Sequence, residues 1–571
     1  MVLPAPFGPS SASTSPDATS SDRSASPTPP GNRRVRPSVT IPSCTSHVYR
    51  GPRGGIARCS RAELPGVNLA EICADHPATS VALISRGKET TYGELREQVG
   101  RLRGGLVGAG IEPGDRVAVV AANNWYFVVS WLAILGVGAV AVPINPASPG
   151  PEVTNELADV GVVGVIVGPT GKRVLPDIDR AAVPDLRLIV QSDPGELVVE
   201  GAVRLDELMT AEPTPIVPRD ADDLAVLMFT SGTAGFPRAA KLSHGNLLAN
   251  IEQLQANPYR EQRSDDITFG VLPFFHIFGL NVVLDMALHT GGAVLAVERF
   301  DPESALESVK KHQITIIAGA PAMWSAWAHL PGADRDALRT VRIAGSGAAK
   351  LDPAVRALVQ ERFGLSIDEG YGLTEASPVV TTATGIPAPP GSIGAPLPGV
   401  KVRLTDAGDH DVLVGDVGEI RVQGPNVFQG YWGDEEATAQ ALTSDGWLKT
   451  GDLAVVDDDG FLFIVDRLKD LIIVSGFNVY PAEVESVLVE HPGVASAAVV
   501  GVQHPHSGEA VKAYVVAAEG ASLEEDEIIA FAEQRLARYK CPQKVWFVDE
   551  LPSGLGGKVR KHELRGTRAV Y

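Results

Sequence analysis

Short apolar runs alternating with helical stretches constrain this chain more than any other feature. Strand-like runs fall at residues 81–84, 117–121, 163–167, 186–190, 224–229 and 314–318. Helical patterns lie between several of them, among them a turn at Thr91-Tyr92-Gly93-Glu94 that opens one helix. Leu69, Ile72 and Cys73 carry helical spacing ahead of the first run. Continuous apolar runs joined by helical crossovers predict parallel α/β layers. One longer apolar stretch, residues 127–142, is interrupted by Gly136 and Gly138 and stops at Pro143. It falls short of the roughly 20 residues a membrane span needs, and reads as a buried helix running into a buried strand. Past Gly391 the texture changes to shorter strands with Gly and Asp turns, as at 400–404 and 418–422. Beyond Asp470 a helix is expected over 482–489, strands over 495–502 and 511–517, and a second helix over 525–537. A chain of 571 residues exceeds what one core usually supports, so at least two domains are expected.

The formal charge of −20 argues against nonspecific nucleic-acid binding, because the chain would repel phosphates. Cys44, Cys59, Cys73 and Cys541 are scattered without a CxxC pair, which reads as reduced thiols in a cytoplasmic protein with no zinc site. Residues 1–62 differ in kind. They are rich in Ser, Pro, Thr and Ala, hold eight Arg and two Asp, and show no periodicity that could form a core. A disordered extension or a start site placed too far upstream fits them best; Arg- and Ser-rich composition also occurs in organelle transit peptides.

The run at 224–229 leads into Thr230-Ser231-Gly232-Thr233-Ala234-Gly235-Phe236-Pro237-Arg238. Glycines let backbone N–H groups turn inward around an anion, hydroxyls add neutral donors, and Arg238 adds charge. The loop suits a polyphosphate, although no Gly-Lys-Ser/Thr makes it a Walker-type loop. Gly345-Ser346-Gly347 does not complete a dinucleotide fingerprint, since Lys350 stands where the third glycine would be. Downstream come Tyr371-Gly372-Leu373-Thr374-Glu375, Trp447-Leu448-Lys449-Thr450-Gly451-Asp452 and Asp466-Arg467-Leu468-Lys469-Asp470. Pro552-Ser553-Gly554-Leu555-Gly556-Gly557-Lys558 follows near the end.

In this order the motifs resemble the adenylate-forming superfamily of acyl-CoA synthetases, luciferases and peptide-synthetase adenylation domains, from about Asn68 to Arg565. Ser475-Gly476-Phe477-Asn478-Val479-Tyr480-Pro481 looks most like bacterial fatty-acyl-CoA ligases. The resemblance implies an α/β fold. A large multi-subdomain N-terminal domain over 63–468 would carry layered parallel sheets and a β-rich subdomain. A small mobile α+β domain over 469–571 would hinge at Lys469.

It also implies ATP, CoA and Mg²⁺ as cosubstrates and cofactor. Thr230, Ser231, Gly232, Thr233, Ala234 and Gly235 would cradle the β- and γ-phosphates, with Thr374 touching the phosphate region and Glu375 holding Mg²⁺. Tyr371, after which Gly372 follows, would lie along the adenine, and Gly347 and Ala348 would line the adenine and acyl groups. Asp452 and Arg467 would meet the ribose hydroxyls. Lys558 would bridge the carboxylate and phosphate during adenylation. After domain rotation Gly476 would line the pantetheine tunnel, and His276 would position groups at the acyl–thiol junction.

Two departures stand out. The family commonly has Lys-Gly where this chain has Arg238-Ala239, and a planar guanidinium is not interchangeable with an ammonium. Ile473 replaces the luciferase-type lysine, which disfavours a light-emitting oxidation. The expected activity is ATP-dependent ligation of a carboxylic acid to CoA through acyl-AMP, with a fatty acid favoured. An aryl acid of the 4-coumarate kind is the first alternative, and transfer of the acyl group to a carrier protein the second. Residues 277–284 and 320–327 form an apolar candidate pocket that does not reveal its own size. The expected partners are these small molecules, with at most peripheral membrane contact and a homodimer left open.

Overall fold

The helix Trp125–Val137 shows how the apolar stretch resolves. Asn124 caps its start by accepting from the Phe127 N–H, and Gly138 ends it with a left-handed φ of 81°. Every residue from Phe127 to Val137 is buried, as a helix apolar on all sides must be. The chain then enters the buried strand Val140–Ile144. No helix among the described residues is long and apolar enough to cross a membrane. The computed structural model describes Thr40–Ile41 and residues 67–193, 195–230, 237–258, 261–474, 477–504, 508–553 and 559–565.

Two large sheets carry the first part of the chain. The seven-stranded sheet runs, edge to edge, Arg238–Ser243, Leu224–Thr230, Val140–Ile144, Arg116–Val120, Gly164–Val167, Leu188–Gln191 and Val203–Arg204. All neighbours in it are parallel except the first pair. The nine-stranded sheet has a parallel centre from Val81–Ser85 through Ala293–Ala296, Ile267–Gly270, Ile316–Gly319 and Ile343–Ser346 to Asp368–Gly372. Hairpin partners Lys88–Thr91 and Val379–Thr382 flank that centre antiparallel. The layered parallel sheets expected from the sequence are present, with antiparallel strands added at their edges. The reason is local: tight hairpins add antiparallel strands at the edges, while helical crossovers keep the centre parallel.

A third sheet, Lys401–Thr405, Gly418–Gln423, Leu448–Val456 and Leu462–Arg467, is antiparallel, matching the shorter strands expected past Gly391. Thr40–Ile41 pairs with its outer strand. The rest of residues 1–62 lies outside the described residues. The smaller C-terminal domain packs the helices Pro481–Val489 and Glu525–Glu533 on a sheet dominated by the Val494–His504 and Gly508–Ala517 hairpin. Ile472, Val484, Leu488, Val499 and Ile528 centre its core. Two helix expectations need correction. Leu69–Cys73 is a single 3₁₀ segment, and the last long helix stops at Glu533 rather than 537.

Candidate active site

Thr230 and Arg238, at the two ends of the expected phosphate loop, face each other as register partners on adjacent antiparallel strands. The Thr230 hydroxyl donates to the Arg238 carbonyl at 3.3 Å, pinning the two ends. Ser231, Gly232, Thr233, Ala234 and Gly235 lie outside the described residues. Arg238 is engaged elsewhere: its Nε donates to Asp434 Oδ2 at 3.0 Å, and its guanidinium stands 5.7 Å from the Tyr431 ring centroid.

Tyr371 and Gly372 end the strand Asp368–Gly372. A Cβ on Gly372 would meet the Pro378 carbonyl at 2.2 Å, so only glycine fits there. Tyr371 donates its hydroxyl to Asp452 Oδ2 at 2.6 Å, and Arg467 Nε pairs with Asp452 Oδ1 at 2.9 Å. Asp452 and Arg467 are themselves register partners. The three residues expected around adenine and ribose therefore meet, although Tyr371 and Asp452 are 81 positions apart. Burial, then the Asp452 carboxylate, raises the Tyr371 phenol well above its ordinary pKa, so it stays a donor.

Thr374 and Glu375 form a 3₁₀ turn directly after that strand. Glu375 Oε1 accepts from the Tyr431 hydroxyl at 2.7 Å, and among the described residues no cation pairs with this half-buried carboxylate. Tyr431 and Asp434 were not singled out in the sequence. Their segment, Gly430-Tyr431-Trp432-Gly433-Asp434, reads there as a turn, and nothing in its spacing points to residues some 56 and 196 positions away.

Strand ends build the other wall. Gly347 follows Ile343–Ser346, and a Cβ on it would lie 2.9 Å from the Phe278 ring. Ala348 adopts a left-handed φ of 69°. At the end of the neighbouring strand, a Cβ on Gly319 would meet Met323 Cε at 2.1 Å. Fully buried Trp324 donates its indole N–H to the Gly345 carbonyl at 3.3 Å. Gly345 itself faces open space. His276 precedes these residues at the start of a π-helical stretch, Phe278–Asp285. Its Nδ1 accepts from the Phe278 N–H at 3.3 Å, which leaves the proton on Nε2. His276 is exposed to solvent, and desolvation by the protein around the ring lowers its pKa.

Lys469 lies on the turn Leu468–Asp470, its carbonyl accepting from Arg565 at 3.1 Å; Arg565 also pairs with Asp470 at 2.8 Å. Burial and the neighbouring Arg467 lower the Lys469 pKa. Gly476 and Lys558 lie outside the described residues.

The sequence and fold have known counterparts. The AMP-binding enzyme family model matches residues 69–432, and the model of the AMP-binding enzyme C-terminal domain matches residues 483–558. Feruloyl-CoA synthase of an Amycolatopsis species is 40% identical over 484 residues, covering 84% of this chain and 94% of that protein. Long-chain-fatty-acid–CoA ligase of Bacillus subtilis is 34% identical over 536 residues, covering 88% and 94%. Among solved structures, ATP-bound MatB from Rhodopseudomonas palustris superposes with a TM-score of 0.81 at 32% identity, covering 88% of this chain and 99% of that one.

Proposed function

We propose that this chain, which belongs to the AMP-binding enzyme family and is an AMP-forming acid–CoA ligase, takes a compact hydrophobic acid of aromatic size. The observation that carries this choice is the acid-side wall. Space is open over Gly345, while Phe278 covers Gly347 and Met323 and Trp324 cover Gly319. A flat ring fits between such stops. A long straight chain, favoured by the Ser475–Pro481 motif, needs a tunnel past the same side chains. The 40% identity to a feruloyl-CoA synthase supports the ring-sized reading.

In the first half-reaction a carboxylate oxygen of the acid attacks the α-phosphorus of ATP, the bond to the β-phosphate oxygen breaks, and pyrophosphate leaves. Both reactants are anionic, so the site must supply positive charge and fixed donors. Residues 230–235 cradle the β- and γ-phosphates. Tyr371 lies along the adenine, and Thr374 donates toward the phosphates. Asp452 turns its oxygens from Tyr371 and Arg467 to the ribose hydroxyls. Lys558 bridges the carboxylate and the phosphate.

Glu375 suits Mg²⁺ because it is a half-buried carboxylate with a neutral hydroxyl donor on one oxygen and no described cation beside it. When bound, the ion supplies charge neutralisation on the phosphate oxygens. In the second half-reaction the CoA thiolate attacks the acyl carbon and AMP leaves. For this step the domains 63–468 and 469–571 rotate about Lys469, Gly476 lines the thiol's path, and neutral His276 positions the reacting groups. The same reading places the enzyme in the cytoplasm, where ATP and CoA are available.

The test is pyrophosphate release and CoA-thioester formation across hydroxycinnamic, benzoic and saturated fatty acids. The highest kcat/KM is expected with a ring acid. A maximum with long fatty acids would overturn the substrate assignment, and absence of pyrophosphate with every acid would overturn the ligase reading itself.

A further inference from the structure

Residues 429–432 ride on the outer edge of the strand Arg238–Ser243. Gln429 N–H donates to the Lys241 carbonyl, Lys241 N–H to the Gly430 carbonyl, and Trp432 N–H to the Ala239 carbonyl, at 2.9, 2.9 and 2.8 Å. This docking places Tyr431 between the exit of the phosphate loop and Glu375. Phe428 packs edge-on against the Tyr431 ring at 5.0 Å, and the Tyr431 N–H donates to Thr438 Oγ1 at 2.9 Å. The ring is thus fixed on one face by an aromatic edge, while the Arg238 guanidinium approaches it at 5.7 Å. Its hydroxyl reaches Glu375 Oε1 at 2.7 Å.

We propose that Tyr431 is a positioning residue for Glu375, itself held by Arg238 and Asp434, so that one side-chain stack aims the candidate metal-binding carboxylate. The proposal rests on the reading that Glu375 faces Mg²⁺ in the ATP complex. A phenol suits the task because it orients a carboxylate without cancelling its charge. A lysine or arginine in the same place would compete with the divalent ion. Arg238 is close enough to the ring to be such a competitor, and Asp434 holds it away from the carboxylate through the 3.0 Å pair. Asp434 is anchored in turn, since its other oxygen caps the helix Glu435–Ala441 by accepting from Ala437 N–H at 2.8 Å. Burial, then Glu375, raises the Tyr431 pKa, which keeps the donor protonated. A planar guanidinium can stack over the ring while bonding sideways to Asp434; an ammonium cannot do both as well. That gives this chain's Arg238 a use distinct from contact with phosphate.

The test is Tyr431→Phe in the full chain. Its readout is Mn²⁺ affinity in the complex with a nonhydrolysable ATP analogue, followed by electron paramagnetic resonance. Losing one hydrogen bond to a charged group is expected to weaken Mn²⁺ about tenfold. The Mg²⁺ concentration for half-maximal adenylation should rise by the same factor. Thioester formation from supplied acyl-AMP, which needs no triphosphate, should stay within about twofold, because a shell-wide collapse would depress both steps. Arg238→Lys keeps the charge pair and loses the planar stack, so its Mn²⁺ affinity should fall by about two- to threefold in the same direction. Unchanged Mn²⁺ affinity in Tyr431→Phe, or, should that variant misfold, in Arg238→Lys, overturns the proposal. Glu375→Gln separates the two levels. If it leaves Mn²⁺ affinity intact, the assignment of Glu375 fails; if it weakens Mn²⁺ while Tyr431→Phe does not, only the positioning role fails.

Discussion

Tyr371, Asp452 and Arg467 meet through directed bonds of 2.6 and 2.9 Å, whereas the wall proposed to face the acid, at Gly319, Gly345 and Gly347, is bounded chiefly by side-chain volume. The first region fixes atoms: each oxygen of Asp452 has a named donor, and Asp452 and Arg467 stand on strands that pair in register. The second fixes chiefly a shape, with the Trp324 indole bond to the Gly345 carbonyl holding one of its stops. Directed bonds fail steeply when one partner is removed, because the remaining polar groups are left unsatisfied. Volume fails gradually and changes which ligand fits. Substitutions on the two sides should therefore separate turnover from choice of acid.

The largest effect is expected at the one cation proposed to bridge both sides. Lys558→Ala should cut pyrophosphate release about a thousandfold, the scale of losing a preorganised charge in a transition state. It should spare thioester formation from supplied acyl-AMP; equal loss in both half-reactions would show that the two steps share one arrangement. Next, Asp452→Ala should raise the KM for ATP about ten- to a hundredfold, since it removes two charge-assisted bonds, with the ranking of acids unchanged. A reordered acid profile would blur the contrast between the regions.

On the volume side, Met323→Ala or Phe278→Ala should shift kcat/KM toward longer acids by about tenfold per substitution, leaving the KM for ATP untouched. Competition between a ring acid and a long fatty acid measures this directly. The smallest effect concerns His276. Crowding lowers its pKa, so the neutral form already prevails at the ordinary histidine value of about 6.5 and is protonated only further below. The rate of thioester formation should show no break near pH 6.5 that disappears in His276→Gln. Such a break would make the imidazole a titrating participant rather than a positioning group.

The two regions were not equally legible in the sequence. The side proposed to hold the nucleotide is written in short motifs whose members are neighbours in the chain, as with Tyr371, Gly372, Thr374 and Glu375. The helix-then-strand reading of 127–142 succeeded for a similar reason, because Gly138 marks its own break through a left-handed backbone. Residues 277–284 and 320–327 read in the sequence as an apolar candidate pocket of unstated size. Its size depends on Met323 folding over Gly319 and Phe278 over Gly347, contacts between strand ends and helices that no periodicity encodes. Tyr431 and Asp434 were missed because their partners are distant and their own segment looks like any Gly-rich turn. The antiparallel edges of the sheets escaped prediction because a hairpin strand and a parallel strand can share the same apolar pattern.

The strand Arg238–Ser243 is the last of the seven-stranded sheet, and an uncovered terminal strand invites pairing with a second molecule. Residues 429–432 occupy its free edge with three backbone hydrogen bonds. A part of the chain nearly two hundred positions away thus covers the edge of this strand against intermolecular association. Changes that loosen this shield would be felt first as aggregation during folding, before any loss of nucleotide affinity.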